Sequence, residues 1–105
     1  MDSELAKQLK DAGFPQSGRS RLAYNDRGEL WEGAGGTYCP ILEELIEACG
    51  KQFLNVNRYA FSSVRIEWEA NATTDNGYFH GEGLSPTEAV ARLWLALNAP
   101  HETTG

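Results

Sequence analysis

Basic residues, histidine and cysteine are all scarce in this chain, and each scarcity excludes something. Nine Lys and Arg stand against fifteen Asp and Glu, a net charge of −6 with a pI of about 4.8. Non-specific attachment to nucleic-acid backbones needs clustered cations, so it is not expected. No apolar run approaches the roughly 20 residues that cross a bilayer. Met1-Asp2-Ser3-Glu4 lacks the basic and apolar segments of a secretion signal, so a soluble, cytoplasmic protein is expected.

Two histidines leave little for a metal centre, which needs three or four converging ligands. One of them, His101, falls in the C-terminal tail. His80 and Glu82 share a strand face with Tyr78, and no third ligand is evident. No metal and no cofactor are therefore expected. Two cysteines invite a disulfide. If Pro40 to Cys49 is one helix, however, Cys39 and Cys49 are about 15 Å apart at a rise of about 1.5 Å per residue. A disulfide tolerates about 7 Å between Cα atoms, so both are read as thiols.

What is present favours one packed domain. The 105 residues are 41% hydrophobic, with three Trp, four Tyr and four Phe. That is enough for a core spanning residues 1–99, with a flexible tail over 100–105. The strongest local signal is Ser85-Pro86-Thr87-Glu88, followed by Ala89 to Asn98. Ser85 is a preferred N-cap, Pro86 fits the first helical position, and Glu88 three residues on completes a capping box. Ala89, Val90, Leu93, Trp94, Ala96 and Leu97 then form one apolar side, and Pro100 stops the run. Glu88 and Arg92 have the favoured spacing for an exposed ion pair. Leu95 projects onto their side, so with Ala91 it is a candidate contact to a loop, a second chain or a partner.

Earlier in the chain, Ser3 to Gly13 reads as a short helix carrying a Leu5/Leu9/Ala12 stripe, with Phe14 as a core anchor. Arg21–Tyr24 and Glu29–Glu32 read as a hairpin joined by Asn25-Asp26-Arg27-Gly28. Gly33 to Thr37 reads as a flexible loop; it matches no phosphate-binding spacing. Pro40 to Cys49 is an amphipathic helix ended by Gly50, with Ile41, Leu42, Leu45, Ile46 and Cys49 inward and Glu43, Glu44 and Glu47 outward. Phe53 to Asn57 is a strand. Val64 to Ala70 alternates strictly, Val64, Ile66 and Trp68 inward and Arg65, Glu67 and Glu69 outward. Asn71 to Gly77 reads as a turn, and Tyr78 to Glu82 as the returning strand. The expected fold is α+β: three helices, about 3–12, 40–49 and 86–98, packed mainly on one face of an antiparallel sheet of about five strands.

Chemistry is thinly signalled. No nucleophile elbow is present. Cys39, beside Pro40, sits where a helix N-terminus lowers a thiol pKa, which makes Cys39 with His80 the one candidate catalytic pair. Between Arg65 and Arg92 there is no basic residue, while Glu67, Glu69, Asp75, Glu82 and Glu88 all fall there. Such a stretch either solubilises the protein or attracts a basic partner. Tyr24, Trp31, Tyr38 and Tyr59 lie in or beside hairpins and loops, so Trp31 and Tyr38 join Glu67, Glu69, Glu82 and Leu95 as the candidate interaction surface.

Three stretches carry a resemblance: Leu9–Gln16 with its Gly-Phe-Pro-Gln, Pro40–Gly50 with Glu-Leu-Ile-Glu-Ala-Cys-Gly, and Ser85–Asn98 with Glu-Ala-Val-Ala-Arg-Leu-Trp-Leu-Ala-Leu-Asn. Together they resemble a family of small proteins of unknown function encoded in phage genomes and prophage-like regions of bacterial chromosomes. The resemblance brings no site residues. It implies a bacterial cytoplasmic setting and action by binding host or viral proteins. The expected function is a non-enzymatic accessory protein, monomeric or dimeric. The alternative is a homodimeric inhibitor or nucleic-acid mimic presenting an acidic 65–88 hairpin to a basic target. An enzyme using Cys39 and His80 stands third.

Overall fold

The computed structural model describes residues 2–16, 18, 20–32, 36–60 and 66–98. Among them it places helix α1 at Ser3–Asp11, strands β1 at Leu22–Tyr24, β2 at Leu30–Glu32 and β3 at Thr37–Tyr38, and helix α2 at Leu42–Cys49. A 3₁₀ turn at Gly50–Gln52 leads to strands β4 at Phe53–Ala60, β5 at Ile66–Thr74 and β6 at Gly77–Gly83, then helix α3 at Pro86–Asn98. The α+β class is as expected, but the strands make two antiparallel sheets of three, ordered β2-β1-β3 and β4-β5-β6. The extra strand is β3, in a segment expected to begin as loop. It exists because Tyr38 and Thr37 pair with Ala23 and Tyr24.

Helix α3 is the hub. Ser85 Oγ accepts from the Glu88 amide at 3.2 Å, as the capping residues require. The helix contacts all three strands of the larger sheet and both other helices. Ala89, Val90, Leu93 and Trp94 are buried as expected. So is Ala91, and Leu95 packs against the core although periodicity puts it on the outer side. A helix covered on two sides has little outer side left. The Glu88–Arg92 ion pair is not formed; Arg92 Nη1 instead donates to the Glu82 carbonyl at 2.7 Å.

The other two helices begin elsewhere than their sequence signals suggest. Asp2, not Ser3, caps α1, its Oδ1 accepting from the Leu5 amide at 2.9 Å. At the far end Gly13 takes φ 95°, and Phe14 N donates to Leu9 O while Gly13 N donates to Lys10 O. This left-handed exit turns Phe14 into the core, edge-on to Trp94 with centroids 5.0 Å apart. Helix α2 starts at Leu42 rather than Pro40, because Glu44 reaches back to the Ile41 amide at 3.1 Å. Glu44 is therefore half-buried rather than on a solvated face, and it also accepts the Tyr38 hydroxyl at 2.7 Å.

In the larger sheet, Asn71 to Thr74 extends β5 instead of turning. The turn is only Asp75-Asn76, between the paired residues Thr74 and Gly77, with Gly77 at φ 128°. Val64, Arg65, the Gly33–Gly35 part of the glycine loop and the tail from 99 lie outside the described residues.

Candidate functional site

Alternation along β4, β5 and β6 sends one set of side chains toward α3 and the other outward. Trp68, Ala70, Ala72, Phe79 and Val56 go inward. The glycines at 81 and 83 do so as well, and bring the sheet against the α3 backbone. Outward go Asn55, Asn57 and Tyr59 from β4, Glu67, Glu69, Asn71 and Thr73 from β5, and Tyr78, His80 and Glu82 from β6. Among the described residues, no Lys or Arg holds an outward position on this face.

Register fixes which groups meet. Glu69 lies directly across from Glu82, and Asn71 across from His80. One ligand atom from each of Glu69, His80 and Glu82 lies within 4.8 Å of the other two. Sequence reasoning placed His80 and Glu82 together and missed Glu69 as the third. Around the trio, Tyr59 donates to Glu69 Oε1 at 3.4 Å, and the charge of Glu69 pushes the Tyr59 hydroxyl above its usual pKa. A shallow depression of about 290 Å³ is lined by Tyr59, Glu67, Trp68, Glu69 and Glu82. A second, of about 440 Å³, runs from Glu67 and Glu82 past Leu84 to Glu88, Arg92 and Asp2, extending the acidic surface to the start of α3.

A ladder of polar side chains stiffens the face. Asn57 Nδ2 and Asn71 Nδ2 both donate to Asn55 Oδ1, at 2.8 and 2.9 Å. Tyr78 donates to Asn71 Oδ1, and its ring lies 6.4 Å from the His80 ring, tilted by 34°. Asn71 is almost fully buried beneath this arrangement.

The remaining sequence candidates fall elsewhere. Trp31 is exposed on β2, an edge strand of the smaller sheet. Tyr38 is buried, not presented: its hydroxyl donates to Glu44 and accepts from the Ser20 amide at 2.9 Å. Burial and Glu44 push it up to about 12. Cys39 is half-buried, and burial raises its thiol pKa, outweighing the Tyr24 hydroxyl bonded to it; the expected lowering is absent. No hydrogen bond, ion pair or ring contact joins Cys39 to His80 among the described residues. Cys49 is buried, its thiol pushed up to about 11. Also among the described residues, no helix is long and apolar enough to cross a membrane. No protein-family model, no curated protein and no solved structure matches this chain.

Proposed function

We propose that this chain is a small non-enzymatic accessory protein of phage or prophage type that works by binding a basic partner protein on the outer face of the β4-β5-β6 sheet. One observation carries the reading. Glu67, Glu69 and Glu82 project from adjacent strands of a single face that bears no Lys or Arg among the described residues. Such a face is complementary to a basic surface and accelerates encounter with it. Exposed Tyr59 and Tyr78 flank the carboxylates and supply flat apolar area of the kind favoured at protein contacts. The raised thiol pKa values of Cys39 and Cys49 give no support to a nucleophilic enzyme.

Affinity capture from bacterial lysate, with the eluted proteins identified by mass spectrometry, tests this. The expected partner is basic, is released by added salt, and is lost with the double variant Glu67→Lys, Glu69→Lys. Capture that ignores both salt and that double variant refutes the proposal.

A further inference from the structure

Two carboxylates directly opposite on neighbouring strands repel each other and destabilise the pairing. Glu69 and Glu82 are held in that arrangement by the β5–β6 register. The Arg92 guanidinium is bonded to the Glu82 main-chain oxygen, not to its carboxylate. Among the described residues, no hydrogen bond or ion pair engages the Glu82 carboxylate or either imidazole nitrogen of His80. What the geometry supplies beside this pair is an imidazole, and an imidazole with two carboxylates is a ligand set for a divalent transition ion.

We infer that Glu69, His80 and Glu82 form a binding site for a divalent first-row transition ion of the zinc class. The three ligand atoms lie within 4.8 Å of one another. Tetrahedral zinc with bonds of about 2.1 Å requires separations of about 3.4 Å. Closing that gap takes a movement of about 1.4 Å at most, within the rotamer freedom of three surface side chains on fixed strands. Nitrogen in the set favours zinc and its neighbours over magnesium and calcium, which take oxygen ligands. Three protein ligands leave a coordination position open to solvent, as in sites where the metal meets a further ligand.

Outer support is present on both sides. Tyr59 holds Glu69, and Tyr78, anchored on Asn71, walls the imidazole of His80. A partner hydrogen-bonded to a ligand, as Tyr59 is to Glu69, orients it, and losing one costs roughly 10–100-fold in affinity. The site does not depend on the basic-partner reading, although it shares two glutamates with it. An ion bound there would cancel part of the negative charge that attracts a cationic surface.

Isothermal titration calorimetry of the tag-free full chain with zinc chloride tests the site. One ion per chain is expected, in the micromolar range, with no heat from magnesium chloride. His80→Ala should abolish binding, Glu69→Gln and Glu82→Gln should each weaken it more than tenfold, and Tyr59→Phe should weaken it about tenfold. Circular dichroism of each variant establishes that it is folded. Absence of zinc binding by the native chain, or undiminished binding by folded His80→Ala, overturns the inference. So does a thiolate-to-metal charge-transfer band on substitution of cobalt, which would put the ion on a cysteine. Glu67→Lys separates the two proposals: it should impair capture of a basic partner while leaving one zinc ion bound.

Discussion

Gly81 lies against the backbone of α3 at Leu93, so close that a Cβ would collide with the Leu93 amide nitrogen and the Ala89 carbonyl oxygen. Gly83, two residues on, is similarly placed, its Cβ position 2.6 Å from Glu88 Cβ and 2.9 Å from Ala89 N. Overpacking of this kind costs about 1–3 kcal/mol even where side chains can yield. Here main chain stands in the way, so Gly81→Ala should cost at least the upper end of that range. Urea denaturation monitored by tryptophan fluorescence measures it. An unchanged midpoint would mean that helix and sheet are less intimate than described.

Phe14, just after α1, joins Leu5 and Leu9 in the core through its edge-on contact with Trp94. Phe14→Ala should destabilise by about 3–5 kcal/mol, and Phe14→Leu by distinctly less. Thermal unfolding of the two variants gives the comparison; equal, small effects would show that the ring is not packed.

The Tyr38 hydroxyl ties Ser20, β3 and the start of α2 together through the Ser20 amide and Glu44. Tyr38→Phe removes a hydrogen bond to a charged group and should cost about 1.5–3 kcal/mol. The native pKa is raised from 10.0 to about 12, so the folded state retains this proton where the unfolded chain has lost it. That stabilisation is complete below about pH 10 and fades as pH climbs toward 12. Cys49, raised from 9.0 to about 11, adds a loss of the same sign between those values. Denaturation midpoints should therefore fall across the alkaline range, with a shallower fall in Tyr38→Phe. Identical slopes would contradict the assignment.

Neither cysteine should react quickly with a disulfide reagent at neutral pH, because burial raises both thiols and only the thiolate attacks. Full labelling is expected on adding denaturant. Fast modification of Cys39 in the native protein would reopen the enzymatic reading.

The parts of the fold legible in the sequence are those set by neighbours along the chain. Ser85 announces its helix within four residues, and the alternation ending in Ile66-Glu67-Trp68-Glu69-Ala70 declares a two-faced strand. The Leu22–Glu32 hairpin was equally readable. What escaped depends on distant partners. Thr37 and Tyr38 are strand-favouring types, but two residues after a glycine run are too few to show alternation, and their pairing with β1 reveals the strand. Asn71 to Thr74 has turn-forming composition, overridden by pairing with Gly77 to His80. That single misplacement also hid the trio. Once the turn is put at Asp75-Asn76, counting back along both strands sets Glu69 opposite Glu82; with the turn spread over 71–77, the opposition cannot be found. Glu44 looked solvated because helical periodicity says nothing of a tyrosine six residues upstream.

The central position of α3 has a consequence for how the chain acquires its structure. The larger sheet and the two preceding helices offer greasy surfaces whose mate comes after residue 85, so none can seal itself from water until that last coil docks. Folding should therefore be all-or-none, and a chain cut short at 85 should remain open and sticky instead of forming a smaller stable domain.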